Sequence, residues 1–200
     1  MCQHPNIINL VDIFENSEYY YIVLDFMAGS DLFDYLQGRD FNLGEERVKE
    51  LTYQLAQGLK YLHSYGIVHR DLKLENIMMT DTTNTSVPKL VDFGLAKMIQ
   101  GDTTGTVLTE QDMIFGTPDY MAPEQVRGEP AGPAADQYAL GVVLFEMTTG
   151  RLPFHAETPW ATAVLRLAQD PPSPRRLVAD LDTCWERAIL RCLARDPAER

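Results

Sequence analysis

Short runs of β-branched and aromatic residues alternate with polar breaks in the first part of the chain. Two such runs, at positions 10–14 and 19–25, are separated by the polar residues 15–18, which predicts an antiparallel β-hairpin. A second pair of apolar segments, at 77–79 and 89–91, flanks a polar insert and predicts a smaller hairpin. Residues 31–37 show a short helical pattern that Gly38 closes.

The clearest helical pattern in the chain begins after position 42. Asn42 is a candidate N-cap with Glu45 three residues later, and Gly66 is expected to end the helix in the left-handed conformation that glycine tolerates best. The apolar residues between these ends recur at three- and four-residue steps and predict one buried face: Val48, Leu51, Leu55, Leu59 and Leu62.

The second half of the chain is organised around one apolar segment. Positions 134–149 are apolar on almost every side, which predicts a central, buried helix. Weaker helical patterns at 158–169 and 182–194 lie on either side of a proline-rich turn at 171–174. Residues 97–115 are rich in Thr, Gly and Asp and predict a surface loop. No internal repeat or linker divides the chain, so we expect one domain.

The charge balance narrows the range of partners. The 200 residues carry 17 Lys and Arg against 29 Asp and Glu, a formal net charge of −12. This balance argues against nucleic acid as the main partner, because neutralising phosphates requires clustered basic residues. It favours a basic partner or substrate, although an acidic surface that only confers solubility is the commoner cause of such a charge.

Hydropathy and cysteine content predict the compartment. No stretch approaches the roughly 18 consecutive apolar residues that a membrane span needs, and the first residues do not resemble a signal peptide. Cys2, Cys184 and Cys192 form no Cys-x-x-Cys pair, which favours a reducing compartment with free thiols. Two thiols on one predicted helix, without His partners, are weak evidence for zinc. We therefore expect a cytoplasmic protein without a membrane span.

Three short motifs carry the chemical information in the sequence. Residues 69–76 read HRDLKLEN, which matches the protein-kinase catalytic loop HRDLxxxN at every defined position. Residues 92–94 read DFG and residues 122–124 read APE, in the order found in the same family. Either triplet alone is a weak signal, but the three together are specific. Over essentially all of its length, the chain resembles the catalytic domain of eukaryotic-type Ser/Thr protein kinases.

This resemblance implies an α+β, protein-kinase-like fold in two unequal parts. Residues 27–200 correspond to the mainly helical C-terminal large lobe. Residues 1–26 correspond to the hinge and to a remnant antiparallel β-hairpin of the N-terminal small lobe. Together they make up a partial protein kinase domain at 1–200.

The resemblance also implies roles for the motif residues. Phosphoryl transfer depends on positioning and charge neutralisation, so Asp71 is expected beside the incoming hydroxyl and Lys73 near the transferred phosphate. Asn76 and Asp92 are expected to hold Mg²⁺, which prefers hard oxygen ligands. Thr117, together with Lys73, marks Ser or Thr acceptors in this family. Each motif residue alone has a plain structural explanation, as a loop acid, a strand cap or a turn residue, and only their joint occurrence favours the kinase site.

Further matches in the sequence imply an ATP site. Leu24 corresponds to the gatekeeper residue beside the adenine, and the backbone of Asp25 and Met27 is expected to pair with the edge of the base. Asp31 is placed for the ribose, and Met78 is expected to lie under the adenine ring. The cofactors implied are ATP and Mg²⁺.

Other residues match structural positions of the family. Asp136 is expected to accept hydrogen bonds from the catalytic-loop backbone, and Glu124 and Arg200 are expected to form an ion pair. His69 is expected in the hydrophobic column that joins the lobes rather than in acid–base chemistry. His63 shows no ligand spacing and is interpreted as a structural or surface residue.

Two features concern regulation and the substrate. Arg70 precedes the catalytic Asp, as in kinases whose activation loop is ordered by a phosphate. The candidate acceptors of that phosphate, among which the sequence does not choose, are Thr103, Thr104, Thr106 and Thr109. Glu75 occupies a position that contacts a basic substrate residue in some relatives, which agrees with the acidic net charge.

The 200 residues contain no Gly-x-Gly-x-x-Gly loop and no Val-Ala-Ile-Lys strand. We therefore expect this chain alone to bind Mg-ATP poorly and to turn over little. Two hypotheses stay open: a Ser/Thr kinase that transfers the ATP γ-phosphate to a protein substrate, and a non-catalytic kinase-like scaffold that binds partners. A fragment without independent function is the plainer third possibility. The intact residues Asp71, Lys73, Asn76 and Asp92 favour the kinase.

Overall fold

The computed structural model describes residues 3–92 and 118–200. The strands in these residues form two antiparallel pairs, β1 with β2 and β3 with β4. The strands are β1 (Leu10–Glu15), β2 (Tyr20–Leu24), β3 (Ile77–Met79) and β4 (Pro88–Leu90). The helices are α1 (Leu32–Gln37), α2 (Glu45–Ser64), α3 (Pro123–Val126), α4 (Pro133–Thr149), α5 (Pro159–Ala168) and α6 (Thr183–Cys192).

The first hairpin confirms the prediction from the apolar runs. Asn16 closes its turn, because the Asn16 side-chain oxygen accepts the amides of Glu18 at 2.9 Å and Tyr19 at 2.7 Å. The register shifts between Leu10 and Asp12, at a β-bulge. Most side chains of this hairpin are exposed.

Helix α2 buries the predicted apolar face but begins later than predicted. The five residues of that face are all buried: Val48, Leu51, Leu55, Leu59 and Leu62. The helix ends before Gly66, whose φ of +72° confirms the predicted left-handed terminus.

The prediction of Asn42 as the N-cap of α2 is wrong. The N-cap is Gly44, which makes no side-chain hydrogen bond. Asn42 belongs instead to the turn that follows α1, where its amide donates to the Arg39 carbonyl at 2.9 Å. The two residues before it, Asp40 and Phe41, both have positive φ. Because of this turn, α2 begins two residues later than the capping pattern suggests.

Helix α4 is the centre of the core, as its all-round apolar sequence predicts. It packs against both α2 and α6, and nearly every residue from Ala135 to Met147 is buried. The predicted helices at 158–169 and 182–194 are also confirmed, as α5 and α6.

The second hairpin lies against α2 and joins the chain start to the catalytic region. Its second strand ends at Leu90 rather than at the predicted Val91, because the Val91 amide donates to the Asn76 carbonyl at 3.1 Å. The Leu90 amide donates to Asn6 at 2.9 Å, and the Leu90 carbonyl accepts from Ile8 at 3.0 Å. β4 therefore fixes both the start of the chain and the residue that precedes Asp92.

A buried ion pair connects α3 to the last described residue, as the resemblance implied. The Arg200 guanidinium makes two bonds to the Glu124 carboxylate, at 2.7 and 2.9 Å, across 76 positions of sequence. Both side chains are almost fully buried. Arg200 also donates to the Ala134 carbonyl at 2.9 Å, so one guanidinium joins α3, α4 and the end of the chain.

Candidate active site

One buried carboxylate sets the backbone of the catalytic loop. Asp136, in the first turn of α4, accepts the amides of His69 and Arg70, each at 2.8 Å. Arg70 has a φ of +67°, which is unfavourable for a residue with a side chain. Two charge-assisted bonds to adjacent amides hold this conformation and so fix the backbone that leads into Asp71.

His63 is a part of this arrangement that sequence reasoning missed. Its Nε2 atom lies 2.7 Å from Oδ2 of Asp136. The sequence offers one weak signal for this contact, since His63 follows Leu59 by four positions and so shares the buried side of α2. His63 is therefore a structural residue, as interpreted, and its partner is the residue that fixes the catalytic loop.

His69 lies in the interior, in agreement with its expected core role. Its side chain is fully buried, and its Nδ1 atom accepts the amide of Asp71 at 3.4 Å. Burial lowers the pKa of His69, which keeps the imidazole neutral near physiological pH.

Three of the predicted site residues are brought together by direct contacts. The Asn76 amide nitrogen donates to the Asp71 backbone carbonyl at 2.7 Å and to Oδ2 of the Asp71 carboxylate at 2.9 Å. Lys73 Nζ lies 3.7 Å from the same carboxylate oxygen. Because the Asn76 nitrogen faces Asp71, its side-chain oxygen faces away from that residue. Asn76 therefore orients the Asp71 carboxylate through its side-chain nitrogen, and its side-chain oxygen takes no part in that contact.

Asp92 is connected to this cluster through its neighbour, Val91. The amide of the preceding residue, Val91, donates to the Asn76 carbonyl, and Asp92 itself is exposed with a φ of +57°. An amide oxygen, as in Asn76, and a carboxylate, as in Asp92, are ligand types that Mg²⁺ prefers. Among the described residues, no group of three or more His, Cys, Asp and Glu side chains could hold a metal by itself. Oxygens from phosphate and water would have to complete the coordination.

The predicted nucleotide-binding residues fall in two groups. Leu24 ends β2 opposite Leu10, and the Asp25 amide donates to the Asn9 carbonyl at 3.1 Å. Met27 is half-buried in the segment that follows.

The second group lies against β3. Asp31 and Met78 form an antiparallel bridge, and the Met79 amide donates to the Ser30 carbonyl at 2.9 Å. The Asp31 carboxylate also caps α1, since it accepts the Asp34 amide at 2.8 Å. Asp31 and Met78 therefore lie side by side at the edge of the catalytic region. Thr117, Phe93 and the candidate phosphorylation sites at 103–109 lie outside the described residues.

A buried acid next to the catalytic loop was not anticipated from the sequence. The Tyr120 hydroxyl donates to the Glu146 carboxylate in the interior. Burial raises the pKa of Glu146 to about 7, and the charges of Glu75 and Asp119 act in the same direction. Burial also raises the pKa of Tyr120 far above its usual range, so the phenol remains the proton donor. The sequence gives no local signal for this pair, whose members are 26 positions apart.

Gln125 joins the APE segment to the catalytic loop. Its side-chain oxygen accepts the Ala122 amide at 2.9 Å, and its nitrogen donates to the Arg70 carbonyl at 3.2 Å. The segment that follows Thr117 is thereby connected to the residue that precedes Asp71.

Comparison with known proteins shows the family. The protein kinase domain model matches residues 1–200. The chain is 38% identical to the serine/threonine-protein kinase pkn3 of Myxococcus xanthus and 34% identical to PrkC of Bacillus subtilis, in each case over 98% of this chain. It is 35% identical to PknB of Mycolicibacterium smegmatis over the same share.

The chain belongs to the protein kinase domain family and has its α+β fold. It spans 37%, 29% and 31% of the length of these three relatives, respectively. Within the described residues, the helices are too short or too polar to cross a bilayer.

Proposed function

We propose that this chain carries the catalytic site of a Ser/Thr protein kinase. The observation that carries the proposal is the contact set around Asp71, whose carboxylate is oriented by Asn76 and neighboured by Lys73. The conformation of the loop is fixed by Asp136. A carboxylate held in one orientation by an amide, beside a cation, is what positioning of an acceptor hydroxyl requires.

In the proposed reaction, an acceptor oxygen forms a bond to the γ-phosphorus of ATP. The bond from that phosphorus to the β–γ bridging oxygen breaks, ADP leaves, and the hydroxyl proton passes to Asp71. Lys73 offsets negative charge on the transferred group, and Thr117 together with Lys73 is proposed to mark a Ser or Thr acceptor. Asn76 and Asp92 would hold Mg²⁺, which when bound neutralises charge on the phosphates.

The nucleotide is proposed to lie between the two groups of predicted residues. Leu24 would border the adenine, and the backbone of Asp25 and Met27 would pair with its edge. The bridge between Asp31 and Met78 supports this placement because it brings the ribose and ring positions together.

The substrate is proposed to be a protein with basic residues around the acceptor. Glu75 is exposed directly before Asn76, and its charge contributes to the raised pKa of Glu146. The net charge of −12 also favours a basic substrate, by attraction over a longer range, and it argues against a nucleic acid partner. The free thiols of Cys184 and Cys192 support a cytoplasmic location.

A phosphotransfer assay tests the proposal. The 200-residue chain is compared with the same chain joined to a small lobe that carries a Gly-rich loop and its lysine, using basic and acidic acceptor peptides of equal length. We expect the joined protein to phosphorylate the basic peptide, and the chain alone to be slower by at least about 100-fold because the phosphate-gripping cation is missing. Asp71→Asn in the joined protein should abolish transfer.

The scaffold hypothesis makes the opposite prediction for the same assay. Transfer in neither protein would favour the scaffold, and equal transfer in both would refute the role given to the missing lysine. Transfer to the acidic peptide alone would overturn only the substrate proposal. The Asp71→Asn variant separates transfer by this site from a contaminating kinase.

A further inference from the structure

Arg166, in α5, is an arginine buried in the protein interior. Its relative exposure is 2%, and it is the largest fully buried side chain in the described residues. One terminal nitrogen donates to the Met121 carbonyl, and the other donates to the Asp119 carbonyl at 3.0 Å. The acceptors are thus two backbone carbonyls of one short segment rather than the carboxylate that usually accompanies a buried cation.

The surroundings of Arg166 offset only part of the cost of its burial. The guanidinium carbon lies 5.9 Å from the ring centre of Tyr138 and 5.8 Å from that of Phe154, and such rings attract a cation. Burial lowers the pKa of Arg166, and its Nε atom is buried without a hydrogen-bond partner in the described part of the protein. A methionine of similar volume would avoid these penalties. Besides the ring contacts, the property that the arginine adds is its pair of directed bonds to the segment at 119–121.

That segment is connected to three different parts of the site. It contains the 3₁₀ turn Pro118–Tyr120, which packs on α5 through Arg166. Tyr120 connects it to α4 through Glu146. Gln125 connects the next residue, Ala122, to the catalytic-loop carbonyl of Arg70. The Arg166 bonds therefore fix this segment to α5, while Tyr120 and Gln125 connect it to α4 and to the catalytic loop.

We infer that Arg166 is a positioning residue for the phosphoacceptor. It holds residues 118–121 at a fixed distance from the catalytic loop, so that an acceptor chain lying on this segment presents its hydroxyl to Asp71. The inference rests on the proposed kinase function, in which a protein acceptor presents its hydroxyl to Asp71. A displacement of about 1 Å between reacting groups lowers a rate by as much as about 100-fold.

Amide hydrogen exchange on the 200-residue chain tests the structural part without relying on activity. Arg166→Met removes both donors and keeps the apolar volume, and Arg166→Lys keeps the charge with a single point donor. We expect the amides of Met121 and Ala122 to exchange at least about 10-fold faster in Arg166→Met and to be partly restored in Arg166→Lys. Ile189→Ala, in the core at α6, is the control for a general loss of stability and should leave the ratio of these amides to those of α2 unchanged.

Steady-state kinetics of the chain joined to a small lobe test the functional part. We expect the KM for the acceptor peptide to rise about 10-fold in Arg166→Met, with the KM for ATP unchanged. Unchanged exchange at 121–122 in both variants would overturn the inference even in an active kinase. Equal increases in both KM values, or loss of the whole fold in both variants, would also overturn it, because either would make Arg166 a general core residue. If the joined wild-type protein is inactive, faster exchange in Arg166→Met would still support the anchoring of the turn. The role in positioning an acceptor would then be overturned.

Discussion

Among the described residues of the candidate site, Arg70 and Asp92 have a strained backbone. Arg70 and Asp92 both have positive φ, at +67° and +57°, and each is adjacent to an amide that donates to a fixed acceptor. For Arg70 the acceptor is Asp136, and for Asp92 the neighbouring amide of Val91 donates to Asn76. Residues with side chains adopt this conformation at a cost of about 1–3 kcal/mol, so surrounding contacts must hold them there. At these two positions, the surrounding contacts therefore hold the backbone in an unfavourable conformation that fixes the geometry of the site.

The motif letters predict that three of the candidate site residues meet, because these residues are close in sequence. Asp71, Lys73 and Asn76 lie within one loop, so the letters alone indicate that they meet. The contacts that position this loop are of another kind. His63 reaches Asp136 across 73 positions, and Arg166 reaches Met121 across 45. Local spacing places His63 on the buried side of α2 but identifies the partner of neither residue, and only the folded chain supplies that information.

Glu146 makes the stability of the protein depend on pH. The pKa of Glu146 is about 7 in the folded protein, against the ordinary value of 4.5 that applies to the unfolded chain. Between these values the folded state binds more protons than the unfolded state, so its stability falls as pH rises through this range. Glu146→Gln keeps an acceptor for Tyr120 but does not titrate. We expect its stability relative to the wild type to increase by up to about 3 kcal/mol as the pH is raised from about 5 to about 8. Urea unfolding at both pH values measures this difference.

The comparison is internal, so other titrating groups largely cancel. Phe in place of Tyr120 is a useful second variant, because it removes the hydrogen bond that favours the charged carboxylate. It should steepen the pH dependence rather than abolish it. A gap between wild type and Glu146→Gln that does not change with pH would show that Glu146 ionises normally in the folded protein.

At the scale of elements, apolar periodicity predicts which segments fold but not where they begin. The faces of α2 and α4 follow from burial, which acts on every turn of the helix. The start of α2 instead depends on the turn after α1, where the amides of Phe41 and Asn42 donate to carbonyls of Leu36 and Arg39. That local competition removes Asn42 from the N-cap, although the capping pattern in the sequence is complete.

A single substitution at Gly44 should test the backbone conformation of the loop before α2. It is the N-cap of α2 with a φ of +76° and a ψ of 152°, a conformation open mainly to glycine. Gly132 is also an N-cap, of α4, but has a φ of −109°. A Cβ at either position would meet nothing within 4 Å. We therefore expect Gly44→Ala to lose about 1–2 kcal/mol more stability than Gly132→Ala, as measured by chemical denaturation.

The pair is matched because both substitutions place Ala at a helix N-cap in open space. Any loss of capping preference is common to the two variants, and the excess at Gly44 reports backbone conformation alone. Equal losses would mean that the loop before α2 relaxes to a negative φ at no cost.

At the scale of the whole molecule, burial is divided unequally between the two hairpins. Ile77, Met79 and Leu90 of the β3–β4 hairpin are fully buried in the core. In the β1–β2 hairpin, the adjacent residues Tyr20 and Tyr21 are 55% and 50% exposed. Since neighbouring residues of a strand point to opposite faces, neither face is covered at this end of the hairpin, and Ile22 and Leu24 further along β2 are only half-buried. The motifs and patterns of the sequence predict that both hairpins exist, but not this difference in burial, which depends on what each one packs against.

This division predicts a difference in local stability that bears on the proposed function. An uncovered two-stranded sheet is marginal in water, so the amides of β1–β2 should exchange at least about 100-fold faster than those of β3–β4 in the 200-residue chain. The β3–β4 hairpin is the matched control, since it also has two antiparallel strands. Joining a small lobe should protect β1–β2 and leave β3–β4 unchanged, because only the first hairpin has faces to cover. Equal protection of the two hairpins in the chain alone would show that β1–β2 is stable without further strands, and the reduced nucleotide binding expected of this chain would then have to come from the missing lysine and Gly-rich loop alone.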